Sequence, residues 1–146
     1  SSGTNDAAAA VAVVADDYAA AENLAVLATV KAWGSVGVAA RDTGLGGVKV
    51  IGYVLERAGL KPSDVALWEI NEAFASVPIA AVREYGIDEE LVNFSGSGCS
   101  LGHPISASGA RMVTTLIYEL QRRGGGIGVA AMCAGGGQGG GLVIEV

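Results

Sequence analysis

The chain has 146 residues, is 51% hydrophobic and 16% charged, and carries a net charge of −6. Length and composition suit a single globular domain with a real core, and argue against a disordered or fibrous chain. Nine basic residues against fifteen acidic ones, with no Lys/Arg stripe, leave no footprint for nucleic acid, so any anionic ligand depends on local donors.

No apolar run approaches the roughly 18 residues of a membrane span, so no membrane partner is expected. Ala7 to Ala15 is too short, ends at Asp16-Asp17, and lacks the basic flank of a signal peptide. Cys99 and Cys133 are too few for a disulfide framework and read as reduced thiols of a cytoplasmic protein. The first residue is not Met, which suggests numbering that starts inside a longer translated chain.

In chain order, Asp6 to Val14 reads as a buried strand, and Asp16-Asp17 as the cap of a short helix over Tyr18 to Glu22. Leu24 to Ala32 is a second strand candidate, ended by Trp33-Gly34, and Asp42 to Gly47 is a loop by composition. Val48, Ile51, Leu55 and Ala58 have helical spacing, with Gly59 as the C-cap. Val65 to Ile70 is a strand that delivers Asn71 at its end. The next pattern, Ala73 to Tyr85, is helical but contains Pro78, which predicts a kink or a start near Val77.

Ser95 to Gly102 reads as a Gly/Ser loop. A helix follows, capped by Ser106 or Ser108, with Val113, Leu116, Ile117 and Leu120 on its apolar face. Ile127 to Met132 and Leu142 to Val146 are strands around a glycine loop, hence a hairpin. Strands alternating with helices make the class α/β, a mixed sheet with helices on both faces and an antiparallel final pair.

Three groups could carry chemistry. Cys133 ends a strand where glycines begin, so a thiol lies beside backbone N–H donors that could receive an oxyanion. His103, the only imidazole, stands between Gly102 and Pro104 just before a helix, where it suits a base or a hydrogen-bond donor. Asn71 follows a strand directly, and its amide can hold a water or a carbonyl. Each has a plain alternative: a buried thiol at a tight turn, a turn histidine, a helix cap. No spacing resembles a metal site. The glycine run opens onto a strand rather than a helix and has no following Lys-Ser/Thr, so it matches neither a dinucleotide fingerprint nor a P-loop.

Taken together, Ser2 to Ala9, Asn71-Glu72-Ala73-Phe74-Ala75, Gly102-His103-Pro104 with Ser108-Gly109-Ala110-Arg111, and Cys133 to Gly139 resemble, in order and spacing, the C-terminal part of a thiolase. The resemblance implies acyl transfer between CoA thioesters, with acyl-CoA and CoA as substrates and no further cofactor or metal. It assigns His103 to activating a nucleophilic Cys, Asn71 to holding a water of one oxyanion hole, Cys133 to acid/base work and Gly135 to a second oxyanion hole. Ser2, Ala73 and Phe74 are then expected along the pantetheine arm. The nucleophilic Cys is expected on an N-terminal half, as part of the same protein or a separate chain, and the assembly as a homo-oligomer. Residues 1–23 would belong with that half, Thr4 to Ala15 pairing with its sheet, and 24–146 would form the C-terminal domain. Cys99, where the family usually has an aliphatic residue, reads as a packing variant. A rival reading keeps the fold as a non-catalytic acyl-CoA-binding or assembly subunit.

Overall fold

The computed structural model describes residues 2–146. Its elements are α1 (Asp16–Ala21), β1 (Thr29–Gly37), α2 (Thr43–Ala58), β2 (Leu67–Ile70), α3 (Ser76–Tyr85), α4 (Ile105–Arg123), β3 (Ile127–Ala134) and β4 (Gln138–Glu145), with short 3-10 turns at 40–42, 62–64 and 89–91. The four strands form one mixed sheet in the order β1-β4-β3-β2. β3 and β4 are the expected antiparallel hairpin, β4 also pairs antiparallel with β1, and β2 runs parallel to β3.

Alternation along the strands sorts the core into two layers. Trp68, Ile70, Val129, Ala131, Cys133 and Val143 face one way and pack with Val50, Ile51 and Val54 of α2 and Val77 and Ala81 of α3. Leu67, Ala130 and Ile144 face the other way, onto Met112, Leu116 and Leu120 of α4. The α4 residues recur every four positions, so one helical stripe covers the sheet. Each fully buried aliphatic of this kind contributes about 1.5–3 kcal/mol. Helices therefore lie on both faces, as the pattern predicts.

Several boundaries differ from expectation. Asp6 to Val14 forms no strand: the segment is exposed and in no regular element, because a strand needs a ladder partner and none of the described residues supplies one. In α1 the cap position is Ala15, with Asp16 and Asp17 inside the first turn. β1 begins five residues later than expected and runs through Trp33-Gly34. Gly34 pairs with Gly141, and a Cβ at Gly34 would fall 2.3 Å from the ring of Tyr53, so the glycine is an aromatic seat rather than a terminator.

The segment Thr43 to Gly47, read as loop, is the opening of α2. Glycine is a poor helix former, but here close packing outweighs propensity. A Cβ on Gly46 would lie 2.3 Å from the Gln138 carbonyl oxygen, and one on Gly139 would lie 2.0 Å from the Gly46 oxygen. The helix thus rests backbone against backbone on β4. Gly139 to Gly141, read as loop, belong to β4, and only Gly135–Gly137 form the turn. α3 starts at Ser76 with Pro78 in its first turn, where a missing N–H costs nothing. Gly59 ends α2 in the left-handed conformation, as expected.

Candidate active site at the end of the parallel strand pair

The parallel strands β2 and β3 end side by side, and the crevice outside such carboxyl ends is a common ligand position in α/β sheets. Ile70 is level with Ala131, and the Asn71 N–H donates to the Ala131 carbonyl at 2.9 Å. Cys133 lies two residues further along β3, roughly 7 Å by strand rise. The sheet register therefore carries Asn71 and Cys133 to the same end of the molecule.

Asn71 is held tightly. The side-chain amide of Asn93, itself at φ 51°, accepts from the Ile70 N–H and donates to the Ile70 carbonyl, both at 2.8 Å. A side chain thus takes the place of a neighbouring strand on the outer edge of β2 just before Asn71. Ser97 Oγ accepts from the Glu72 N–H at 3.2 Å, and the Cys99 N–H donates to Glu72 Oε2 at 3.1 Å. The loop 95–102 thereby clamps the residue just after Asn71. Asn71 is fully buried, and its Oδ1 has no hydrogen-bond partner among the described residues.

His103 comes from the opposite direction, just before α4. Its backbone N–H donates to Asn5 Oδ1 at 2.9 Å, and its ring lies within 3.3 Å (Nε2) and 3.5 Å (Nδ1) of Asn71 Nδ2. Ser108 Oγ is 2.7 Å from His103 Nδ1 and 3.2 Å from the Pro104 carbonyl. A hydroxyl has one proton, and the carbonyl can only accept it, so Oγ accepts from Nδ1–H. This leaves Nε2 as the unprotonated nitrogen, the tautomer a general base needs, while the Asn71 amide nitrogen, nearly equidistant from both ring nitrogens, lies against the ring. Ser108 is thus no helix cap, as the sequence suggested for it or Ser106; Pro104 occupies the cap position without a side-chain bond.

Cys133 is 7% exposed, and burial pushes its thiol up from the ordinary cysteine range, with a backbone hydrogen bond pulling weakly the other way. The thiol therefore rests protonated near neutral pH. A Cβ on Gly47 would fall 3.0 Å from the Cys133 nitrogen, so the α2 glycines also let the helix close over this strand end. Gly135 opens the turn, with its carbonyl accepting from Gln138 Nε2 at 3.1 Å. Cys99 is exposed, so it is not a packing residue; its thiol faces the Glu72 carbonyl at 3.7 Å.

The N-terminal segment completes the surroundings. The Ser2 N–H donates to the Ala73 carbonyl at 3.2 Å, next to exposed Phe74. Ser2 to Ala7 and His103 to Ala107 line a groove of about 410 Å³ with His103 in its wall. The structure thus unites Asn71 with His103 and Ser2 with Ala73, and puts Cys133 and Gly135 at the same sheet end. Asn93 and Ser97 hold the chain on either side of Asn71 and Ser108 bonds the His103 ring, contacts that single-residue reading misses, since Asn and Ser are common in loops and helix starts. No group of three His, Cys, Asp or Glu among the described residues could hold a metal ion, and none of the described helices is long and apolar enough to cross a membrane.

A family model described as "Thiolase, C-terminal domain" matches residues 24–146. The chain is 44% identical over 144 residues to an acetyl-CoA acetyltransferase of Escherichia coli, covering 99% of this chain and 36% of that one. It is 43% identical over 146 residues to a 3-ketoacyl-CoA thiolase of Bacillus subtilis, covering 100% and 37%. Among solved structures, the Bacillus anthracis acetyl-CoA acetyltransferase superposes with a TM-score of 0.85 at 42% identity, and human mitochondrial 3-ketoacyl-CoA thiolase in complex with CoA with 0.86 at 37%. Each covers 89% of this chain and 33% of the other. The chain spans little more than a third of the curated relatives it matches. With the fold, the family model and these relatives in agreement, the chain belongs to the thiolase family.

Proposed function

We propose that this chain supplies the base, oxyanion and proton-transfer groups of a thiolase site that moves acyl groups between CoA thioesters, by cleavage of a 3-oxoacyl-CoA or condensation of two acyl-CoAs. The observation that carries this reading is the Asn71 amide against the ring of His103, the only imidazole of the chain. A water held by the Asn71 side chain, with His103 Nε2 once it has gained a proton, would meet the negative charge of a thioester enolate. Cys133, whose thiol is held protonated, would exchange a proton with the substrate α-carbon, and the Gly135 N–H would serve a second oxyanion hole. Ser2, Ala73 and Phe74 would line the path of the pantetheine arm, with CoA as substrate and no other cofactor.

The nucleophilic Cys would come from an N-terminal half of the same protein or a separate chain. The exposed residues of 2–15 would pair with that half, in a cytoplasmic homo-oligomer. The reading is supported by a neighbour solved with CoA and by relatives named for acetyl transfer, one of them, from Mus musculus, named as cytosolic.

The test is complementation. The purified chain alone should not cleave acetoacetyl-CoA, whereas the chain mixed with a thiolase N-terminal half should do so with CoA. His103→Ala and Cys133→Ala should each then lower kcat by about 10²–10⁴ and Asn71→Ala by about 10²–10³. Full turnover by Cys133→Ala would instead favour a binding or assembly subunit, and turnover by the chain alone would remove the need for a second half.

A further inference from the structure

At the same sheet end a buried glutamate meets a partly buried arginine, a pair that the chemistry above does not use. Glu69 is wholly inaccessible on β2, two residues before Asn71 and facing α4. Its Oε2 accepts from Arg111 Nη1 at 2.5 Å. We propose that Glu69 and Arg111 are a positioning pair that holds Asn71 and His103 in register, tying the strand that carries the amide to the helix that carries the imidazole.

The contacts form a closed circuit. Arg111 lies three residues after Ser108, one turn on and on the same side of α4. Ser108 accepts from His103, His103 meets Asn71, and Asn71 follows Glu69 on β2. Sliding α4 along the sheet would stretch the Arg111–Glu69 hydrogen bond and the Ser108–His103–Asn71 contacts together.

Stability alone does not explain the pair. Apolar residues of similar volume would join helix to sheet at no greater cost, whereas the Arg111-to-Glu69 hydrogen bond fixes direction and distance. Nor is the pair saturated: Glu69 Oε1 and Arg111 Nη2 lack partners. Together with Asn71 Oδ1 they are the buried side-chain polar atoms without partners among the described residues, all in this one cluster. Unpaired groups concentrated in one place signal a geometry kept for function rather than for core stability. Glu72 also acts on Glu69 through its charge, so the electrostatic neighbours of the carboxylate are Arg111 and Glu72.

The inference rests on the acyl-transfer reading only for what the held groups do; whether they are held can be measured without turnover. His103 is the sole imidazole in the chain, so ring 15N signals report its tautomer without ambiguity. In the isotope-labelled 146-residue chain, Glu69→Leu with Arg111→Met should still fold. Its His103 ring should average between tautomers, and its Asn71 side-chain amide protons should exchange on the order of tenfold faster. Arg111→Lys, which keeps the charge, should restore most of the native signature.

A double variant with native ring and amide signals would overturn the proposal, and so would Arg111→Lys disturbed as fully as the double variant. If the double variant does not fold, Arg111→Met alone, which removes the tie and leaves Glu69 as the neutral acid its burial favours, carries the same test, with native signals again fatal. Native signals in a reconstituted enzyme without turnover would count against the acyl-transfer reading alone.

Discussion

The two faces of the sheet hold their helices by opposite means. On one face α2 sits backbone to backbone on the hairpin through Gly46 and Gly139, amid apolar side chains, with the Tyr85 hydroxyl as its polar tie to α3. On the other, α4 packs through Met112, Leu116 and Leu120 and then ends toward the site in directed polar contacts: Ser108 to His103 and Arg111 to Glu69. The first face fixes a sulfur by steric proximity of main chains, the second an imidazole by hydrogen bonds and charge. One face should thus be vulnerable to added atoms and the other to pH.

The largest expected effect is steric. Gly139→Ala places a methyl 2.0 Å from the Gly46 carbonyl, a main-chain atom that cannot rotate away. It should cost about 3 kcal/mol or prevent folding. Its neighbour Gly140, with open space at its Cβ, should accept Ala within about 0.5 kcal/mol. Thermal unfolding followed by circular dichroism separates the two; equal losses would mean the close approach is not what seats α2.

The electrostatic face should respond to pH. Burial raises the Glu69 carboxyl from 4.5 to about 7, against the opposing pull of Arg111. Between those values the folded protein keeps a proton that the unfolded chain has released. Stability should therefore fall as pH rises from about 5 to 7, with a slope of at most about 1.4 kcal/mol per pH unit, and level off above 7. Glu119, lowered to about 2 by Arg122 and Arg123, titrates below this window. Urea titrations at several pH values measure the slope, which Glu69→Gln should abolish; stability that climbs over the same range would contradict the assignment.

The smallest effect is kinetic and sharpens the contrast at the thiols. Cys99 is exposed, whereas Cys133 is buried with its thiol pushed up. Iodoacetamide near pH 7.5 should modify Cys99 at least about tenfold faster, as read by peptide mass spectrometry. Comparable rates would show that the α2 face does not close over the sulfur.

Much of this fold was legible in local pattern. The α4 stripe, the β3–β4 hairpin, the Gly59 cap and the position of Pro78 follow from spacing and from what proline and glycine can do. Errors came where a residue served a distant contact. The glycines of 43–47 read as loop because their helical use depends on a strand some ninety residues away, and Gly34 read as a terminator because Tyr53 was out of view. Asp6 to Val14 read as a strand because its composition suits one, yet strand formation also needs a neighbour.

For the site, residue types and order already marked Asn71, His103 and Cys133, since thiol, imidazole and amide are scarce and each stands where an element begins or ends. Composition and order therefore determined which groups could do chemistry and which family the chain resembles. Only the tertiary structure decided the tautomer of His103, the clamp of Asn93 on the strand before Asn71, the burial that pushes the Cys133 thiol up and the union of Glu69 with Arg111. These depend on distances between residues remote in the chain and on the exclusion of water around them, and neither is a property of any local stretch of sequence.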